Sequence, residues 1–557
     1  MYGITPMSYS RNFHETVQDV FGGIDRRPAA RDGAIADMMN MCAEAYPALT
    51  VRPRRGQKAL VAKPGGLYCR DCLAWVDGGK LVVDGEIVAE LADGAKLMTG
   101  IQEKICIWPD KVIYDRETGA LTQMELDWQG EVIFSDGTYA GEPAAANTIV
   151  IKGDQTGLFR AGDGVTVAVV ADEYVHEAEG AFVIQEVEYD STANETELRF
   201  LEDTWLKHMP PGYEADTAAD DGEMIPFPNP GMKTTVRIQR RVPELEGVFE
   251  HHNRLWGWHG GAIRCCRLGD PTNWESFNGD ATDSWELVTG SAGDITGGAS
   301  YAGRPVFFKE NRIIRLYGDY PGQYSTSETE SLGVEAGSGR SLAIAGDMLF
   351  YKSPQGIMAY TGGNPWHIGE ELGPERYRDA VAGSDGVRYY VSMVREDGES
   401  EILCYDTRHR VWHREDGMKL LGLGWHGELY ALEERGELWV LGDRRDTGNG
   451  EEGVASWVET ADYYDGTTRK KTPGRLVLRL EIDDGVDLDI KVRYDSRGDW
   501  ELLRRLTGEM VKGQEEIVIP LRRCDHYRIR LEGLGLGGRR WTLHALTRER
   551  AVGSNRK

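Results

Sequence analysis

Cysteine is sparse in this chain: eight residues in 557, at 42, 69, 72, 106, 265, 266, 404 and 524. Their scatter and the adjacent Cys265-Cys266 pair exclude the disulfide framework of a small secreted protein, so the thiols read as reduced, small apolar side chains. Long apolar runs are missing as well. Without a stretch of about 18 apolar residues, no helix can span a membrane. Met1 to Phe13 lacks the basic stretch and apolar core of a signal peptide, and the expectation is a protein made in a cytoplasm. Almost no segment repeats its apolar residues every 3.6 positions, which leaves no place for long amphipathic helices. Catalytic signatures are absent too, with no Gly-x-Ser-x-Gly elbow, P-loop or His-Glu-x-x-His. Gly22-Gly23, Gly260-Gly261 and Gly297-Gly298 open no helix and so make no phosphate loop. Asp163-Gly164 and Asp483-Asp484-Gly485 lack the alternating acidic spacing of a calcium loop.

Positive charge is in deficit. Against 91 Asp and Glu stand 64 Lys and Arg, a formal net charge of -27, which argues against a protein whose main task is gripping phosphates. Arg52-Pro53-Arg54-Arg55, Arg240-Arg241, Lys470-Lys471, Arg522-Arg523 and Arg539-Arg540 are local basic patches. Such short runs read as solvated faces or as ion-pair partners for an acidic surface. An acidic body with basic edges suits docking onto other proteins.

What the chain has in abundance is one β-hairpin pattern. Asp71 to Gly85, Gln102 to Arg116, His252 to Cys266, Gly303 to Tyr317, Gly346 to Tyr360 and Gly427 to Leu441 share it, and Gly386 to Thr407 is a copy with a longer turn. Each is an apolar strand rich in aromatic and branched residues, a polar or Gly-containing turn, and a second apolar strand. From Gly303 to Gly427 the copies start about 40 residues apart, the period of a β-propeller blade. The 69 Gly supply the tight turns, since Gly reaches positive φ without a Cβ clash. Trp recurring at one place in each hairpin reads as blade core rather than as a sugar platform.

The expected fold is all-β: a propeller of about six to eight blades, an inserted small β-barrel or sandwich, and a C-terminal β-sandwich. Residues 1–56 read as an extended arm and 57–121 as the first part of the propeller. In 122–242, short strands around Thr148-Ile151, Val165-Val170, Ala181-Ile184 and Thr196-Phe200 mark the insert, and Pro210 to Pro230 has the composition of a long loop. The propeller resumes over 243–443, acidic and Gly-rich 444–455 reads as a linker, and 551–557 is a tail. Over 456–550 polar residues fall at every second place of Leu476-Ile482, Leu488-Tyr494 and Tyr527-Leu531. Each strand there has one wet face, as in a sandwich of five to eight strands.

The search for chemistry returns isolated pairs. Cys69-x-x-Cys72 is half a zinc site with no second half. Asp283 with Glu286 is one of many carboxylate pairs open to a glycosidase reading, and nothing selects it. Asp495-Ser496-Arg497-Gly498-Asp499-Trp500 superficially resembles an Asp-box but reads as a hairpin turn capped by Trp500. His251-His252, near His259, would as strand neighbours point to opposite faces, so that at most one reaches a common ion, and a turn or blade-edge role is expected. No residue is therefore assigned to catalysis, to a cofactor or to a metal; no enzyme activity and no cofactor is expected, and the partner-binding residues are unassigned.

Three stretches carry a family resemblance. Asn40-Met41-Cys42-Ala43-Glu44-Ala45-Tyr46-Pro47-Ala48-Leu49-Thr50-Val51-Arg52-Pro53-Arg54-Arg55-Gly56 resembles the opening of the packaged-DNA stabilisation proteins (tail accessory proteins) of bacteriophage tails and necks. Asn253-Arg254-Leu255-Trp256-Gly257, Leu268-Gly269-Asp270-Pro271-Thr272-Asn273-Trp274, Val306-Phe307-Phe308-Lys309-Glu310 and Leu316-Tyr317-Gly318 are similar to their central blades. Arg522-Arg523-Cys524-Asp525-His526 with Leu531-Glu532-Gly533 is similar to the end of their terminal sandwich. The resemblance implies a non-enzymatic virion component of the head-to-tail assembly, made in the bacterial host cytoplasm. It would hold neighbouring rings together as a homo-oligomeric ring and help retain packaged DNA. Implied partners are portal, adaptor, tail or tail-tip proteins, with at most indirect contact with DNA. The rival expectations are a receptor- or glycan-binding propeller at the tail tip and, behind it, a glycan depolymerase.

Overall fold

The computed structural model describes residues 13–28, 30, 33–139, 142–170, 180–200, 233–442, 449–467, 469–471, 473–509, 514–518 and 522–551. Two compact units divide the chain: a first unit of Met1–Gly78, Val82–Glu86 and Ser331–Lys557, and a second of Gly79–Leu81 and Ile87–Glu330. Among the described residues, strands and short 3-10 turns are the regular structure. No helix is long and apolar enough to cross a membrane.

All seven repeat hairpins form the middle of seven four-stranded antiparallel sheets, spanning 64–90, 97–123, 247–288, 297–330, 343–367, 377–414 and 420–441. The seventh takes its fourth strand, Gly56–Leu60, from the N-terminal part of the chain. Successive sheets meet through their first strands. In the second unit Leu97–Ile101 lies beside Gly247–His251, which lies beside Gly297–Tyr301. In the first unit Ala343–Ala345, Tyr377–Ser384, Leu420–His426 and Pro64–Cys69 follow one another in the same way. Four-stranded sheets stacked in series through their first strands are propeller blades. Where neighbouring sheets stack they cover the middle hairpins, whose strands are buried at consecutive positions, as in Arg304–Lys309 and Met348–Ser353. Trp256, Trp258, Ile263, Phe307 and Ile314 fill one such space between sheets. Val61, Trp75, Tyr430, Leu432 and Val440 fill another.

The insert is a single seven-stranded antiparallel sheet in the spatial order Gly180–Val183, Gly164–Val169, Lys233–Arg240, Leu126–Tyr139, Glu142–Lys152, Glu195–Arg199 and Glu186–Asp190. Val167, Val132, Leu198 and Ile238 share one core although they come from both ends and the middle of that sheet, so it is rolled upon itself. Three strands, Leu126–Tyr139, Glu186–Asp190 and Lys233–Arg240, went unread in the sequence. The expected Pro210–Pro230 loop lies outside the described residues. Asn273 joins the insert to the sheet 247–288: its Nδ2 donates to Gly162 O at 2.6 Å and its Oδ1 accepts from Gly164 N at 3.3 Å.

The expectation for residues 1–56 is corrected. Instead of an arm, this segment supplies strands Phe13–Gln18, Ile35–Met39, Met41–Cys42 and Leu49–Val51 to the C-terminal sandwich. Its two sheets run Ile35–Met39, Gly453–Thr460, Tyr527–Leu536, Asp487–Tyr494, Glu501–Thr507, and Met41–Cys42, Leu49–Val51, Trp541–Ala551, Pro473–Ile482, Gln514–Val518, with Phe13–Gln18 also on Trp541–Ala551. Eleven strands result among the described residues, seven of them C-terminal. The 444–455 linker is likewise shortened, since strand Gly453–Thr460 begins inside it. The N-terminal strands are recruited by burial: Phe21, Ile24, Ile35, Met38, Met41, Leu49 and Val51 are 0–2% exposed and sit in one core with Phe350, Tyr389 and Trp412 of the blade sheets and Leu478, Ile490 and Trp541 of the sandwich.

Two buried ion clusters pin this segment. Arg26 bonds Asp37 at 2.8 Å and Glu401 at 3.1 Å, Arg414 reaches Asp37 at 3.0 Å, and the Tyr377 hydroxyl donates to Glu401 at 2.9 Å. Arg55 binds Glu415 and Asp416, each at 2.5 Å, while Arg52 grips both oxygens of Glu451 at 2.7 and 2.8 Å and donates to Asn40 Oδ1. Burial alone would raise the Glu401, Asp416 and Glu451 carboxyls, but the facing arginines and their hydrogen bonds outweigh it and hold all three below their ordinary values. Carboxyls lowered in the folded state stabilise it fully above their unfolded values, 4.5 for Glu and 3.8 for Asp, and lose that stabilisation as pH falls further. The carboxyl contribution to the thermal midpoint is therefore level from about pH 7 to 5 and lost below about pH 4.5, while His251 and His413, held near 4 by burial against 6.5 when unfolded, add a decline that begins below about pH 6.5. Circular dichroism melts across that range check it, and a midpoint that climbs on acidification would contradict it.

Candidate functional site

Within the first unit, a cavity of about 430 Å³ opens among the turns of the sheets 377–414 and 420–441 and the N-terminal residues Met41–Glu44 and Arg52–Arg55. Its size falls in the range of small-ligand sites. The connection after Tyr377–Ser384 brings in Asp385 and Arg388, the end of Ser400–Asp406 and its turn bring in Asp406 and Arg408, and the end of Leu420–His426 and the strand after it bring in Trp425 and Glu428.

The two aspartates are built alike. Asp385 Oδ1 accepts from the backbone N–H groups of Val387 and Arg388 at 2.9 and 2.6 Å, and Asp406 Oδ1 accepts from those of Arg408 and His409 at 2.9 and 3.0 Å. Each therefore spends one oxygen on its own turn, as Asp does in Asx-turns. The second oxygens face Arg388, at 3.9 Å from Asp385 and 3.5 Å from Asp406, and Glu44 lies 3.9 Å from the same guanidinium. Arg388 also donates to the Tyr390 hydroxyl at 3.3 Å.

Behind this rim the groups are dry. Burial pushes the Cys42 thiol up to about 12 and the Cys404 thiol and Tyr390 hydroxyl well above their ordinary values. Protonated thiols are poor nucleophiles and poor metal ligands. Burial also lowers His413 to about 4, so its imidazole is neutral at pH 7. The arrangement offers ordered donors and acceptors rather than an activated nucleophile.

The residues singled out in the sequence do not converge here, apart from Arg52 and Arg55. Asp283 is buried, and its Oδ2 accepts from the backbone N–H groups of Asn278, Gly279 and Asp280 while Ser276 Oγ donates to Oδ1. Glu286 pairs with Arg264 at 2.9 Å. Asp495 to Trp500 is the connection between Asp487–Tyr494 and Glu501–Thr507, with Arg493 4.7 Å over the Trp500 ring. Cys69 and Cys72 are unbridged and lie in no metal-sized cluster among the described residues.

The turn role expected for the His251-His252 pair holds, with His252 in the turn at φ 49°, but the opposite-face geometry is corrected: the rings stack, with centroids 3.9 Å apart, because His252 no longer alternates as a strand residue would. His251 bonds Ser300 Oγ at 2.8 Å, and burial, followed by the neighbouring His252, lowers it to about 4. His259 stands 3.6 Å from Glu246. The solvated-face reading fails for Arg52 and Arg55, which are 4% and 1% exposed. It fails for Arg240 too, which bonds buried Asp163 at 2.8 Å, where burial raises the carboxyl despite the arginine. Arg540 reaches Glu44 at 3.1 Å, and Arg522 pairs with Glu501.

Two groupings went unseen in the sequence. Asp495, Asp525 and His526 place one ligand atom each within 4.8 Å of the others, but Asp495 accepts from the Asp525 backbone N–H and His526 Nε2 is bonded to Ser496 Oγ, so these groups are used to tie together two segments 30 positions apart. The other is the Asp385–Arg388–Asp406 rim. Its only linear trace is the Asp-Gly and Asp-Thr pairs at turn positions, which the chain repeats elsewhere.

No protein-family model matches the sequence, and no curated protein matches it. Among solved structures, the chain is similar to chitosan-binding module 1 of a chitosanase/glucanase from Paenibacillus sp. IK-5, at 18% identity over 19% of this chain and 79% of the module, with a TM-score of 0.14. It is similar to an exo-β-1,3-galactanase from Phanerochaete chrysosporium at 10% identity, 54% and 95% coverage and a TM-score of 0.22. It is also similar to PorZ, a surface component of the type-IX secretion system of Porphyromonas gingivalis, at 11% identity, 87% and 77% coverage and a TM-score of 0.25. Likeness of this degree assigns no activity to the chain.

Proposed function

We propose that the chain is a structural component of a bacteriophage virion, placed in the tail or neck assembly, where it holds neighbouring rings together and helps retain packaged DNA. One observation carries the reading. The stretch Asn40–Gly56, which bears the resemblance to packaged-DNA stabilisation proteins, is the segment that clamps sandwich to blade sheets: Asn40, Arg52 and Arg55 tie it to Glu415, Asp416 and Glu451. A part that transmits load between rings needs its domains fixed to one another. Buried ion pairs with satisfied partners resist separation because breaking them leaves a charge stranded.

The chain's net charge of -27 fits a protein beside the DNA path that does not grip the genome. Repetition around a symmetric ring then adds many modest contacts into a strong one. A phage lacking the gene is expected to give particles that leak DNA or lack tails, and a carboxyl-terminal tag is expected to label the neck in electron micrographs. Normal, DNA-filled, fully tailed particles without the protein would sink the proposal; label at the distal tip would move the chain to receptor binding.

A further inference from the structure

The geometry points to the 430 Å³ cavity of the first unit as a binding site for a neutral, hydroxyl-rich ligand, a hexopyranose unit of a glycan, with Trp425 as its stacking platform and the Asp385–Arg388–Asp406 rim as its hydrogen-bonding wall. The inference does not rest on the virion assignment.

Three features select this ligand class. The first is the gap geometry. Arg388 faces Asp385 Oδ2, Asp406 Oδ2 and a Glu44 oxygen at 3.9, 3.5 and 3.9 Å, beyond direct hydrogen bonding. A hydroxyl lodged beside each pair accepts from the guanidinium and donates to the carboxylate at once. Only a group that is both donor and acceptor does this, and a sugar ring presents several in a row. The second is preorganisation: backbone N–H groups hold Oδ1 of both aspartates, so the wall is in place before anything binds. The third is the aromatic. Trp425 is 46% exposed at the cavity mouth, on a regular strand, among blades whose other aromatics are mostly buried. The C–H face of a pyranose carries the partial positive charge that the negative face of an indole attracts.

Charge narrows the choice further. Glu44, Asp385, Asp406 and Glu428 line the cavity with Arg388 and Arg408, and Arg540 reaches Glu44 at 3.1 Å, four carboxylates to three guanidiniums, since Arg52 and Arg55 are already held by Glu415, Asp416 and Glu451. An excess of carboxylate repels phosphates and uronic acids, which leaves neutral sugars.

The test titrates the full-length protein with β-linked trimers of glucose, galactose and N-acetylglucosamine, read by tryptophan fluorescence and by saturation-transfer NMR. Saturable binding of one trimer is expected. Trp425→Ala, checked for folding by circular dichroism, should weaken it by about tenfold or more, Trp425→Phe should restore most of it, and Arg388→Lys should weaken it while keeping the charge. Inorganic phosphate should not compete. The inference is overturned by absence of saturable binding up to about 10 mM of every trimer, by binding that ignores Trp425→Ala, or by displacement with phosphate, which would make this an anion site.

Discussion

Arg55→Met is expected to lower the stability of the first unit by about 3–5 kcal/mol, because it removes the counter-charge in direct contact with Glu415 and Asp416 and leaves only Arg52, 3.9 and 3.7 Å away and already held by Glu451. Arg55 is 1% exposed and bonds each carboxylate at 2.5 Å, while those side chains are 11% and 23% exposed. A globular domain has about 5–15 kcal/mol of stability in all, so a loss of this size moves a urea or thermal midpoint far beyond measurement error. Arg435→Ala provides the contrast. Its side chain is 88% exposed and stands 4.0 Å from Glu433, and surface changes of that kind stay within about 0.5 kcal/mol. Adding Glu415→Gln and Asp416→Asn to Arg55→Met should recover part of the loss, since the stranded charges are then gone. Equal midpoints for Arg55→Met and Arg435→Ala would show that the cluster contributes nothing.

Removing residues 1–52 is expected to leave no soluble, folded first unit. The strands lost include Ile35–Met39 and Leu49–Val51, which pair with Gly453–Thr460 and Trp541–Ala551. Phe21, Ile24, Ile35, Met38, Met41, Leu49 and Val51, all 2% exposed or less, go with them. At about 1.5–3 kcal/mol for each buried apolar side chain, the loss exceeds 10 kcal/mol before any ion pair is counted. It would also bare the edges of two sheets, which invites aggregation. Expression of the truncated chain, followed by size-exclusion chromatography and circular dichroism, reads the outcome. A monodisperse truncated protein with an undiminished β spectrum would show that the segment is an arm after all.

That second expectation marks the limit of what was legible along the chain. The hairpins were read correctly because their information is local: two apolar runs and a Gly turn declare themselves within fifteen residues, as in Gly303 to Tyr317, where the strands are Arg304–Lys309 and Arg312–Tyr317. The alternation of Asp487–Tyr494 is equally local, with every second residue buried. The N-terminal strands carry no such signal. Ile35–Met39 reads Ile-Ala-Asp-Met-Met, with neither alternation nor a β-branched run. It is a strand because Gly453–Thr460, more than 400 positions later, offers an unpaired edge. The insert strand Glu186–Asp190 does alternate, with Val187 and Tyr189 between acidic residues, but it is a short edge strand that buries no residue fully, and its pairing with Glu195–Arg199 is what makes it part of the sheet. Of the candidate site, the sequence disclosed Arg52 and Arg55 as a basic patch but not that they are buried. Arg388, Asp385 and Asp406 carry no signal along the chain, because each alone is a residue at or beside a turn.

By itself, then, the sequence determined the all-β class, the hairpin repeat, the insertion between repeats and the alternating C-terminal strands. All of these follow from periodicity and turn chemistry, which act over a few residues. Only the tertiary structure decided that the N-terminal segment completes the sandwich, that the arginines of an apparent surface patch lie in its interior, and that three turns from neighbouring sheets enclose one cavity. Those outcomes depend on which distant edges and charges come to face each other, and burial, not local preference, sets the sign of each: an arginine in a turn is a solvated cation until two carboxylates from 360 residues away close over it.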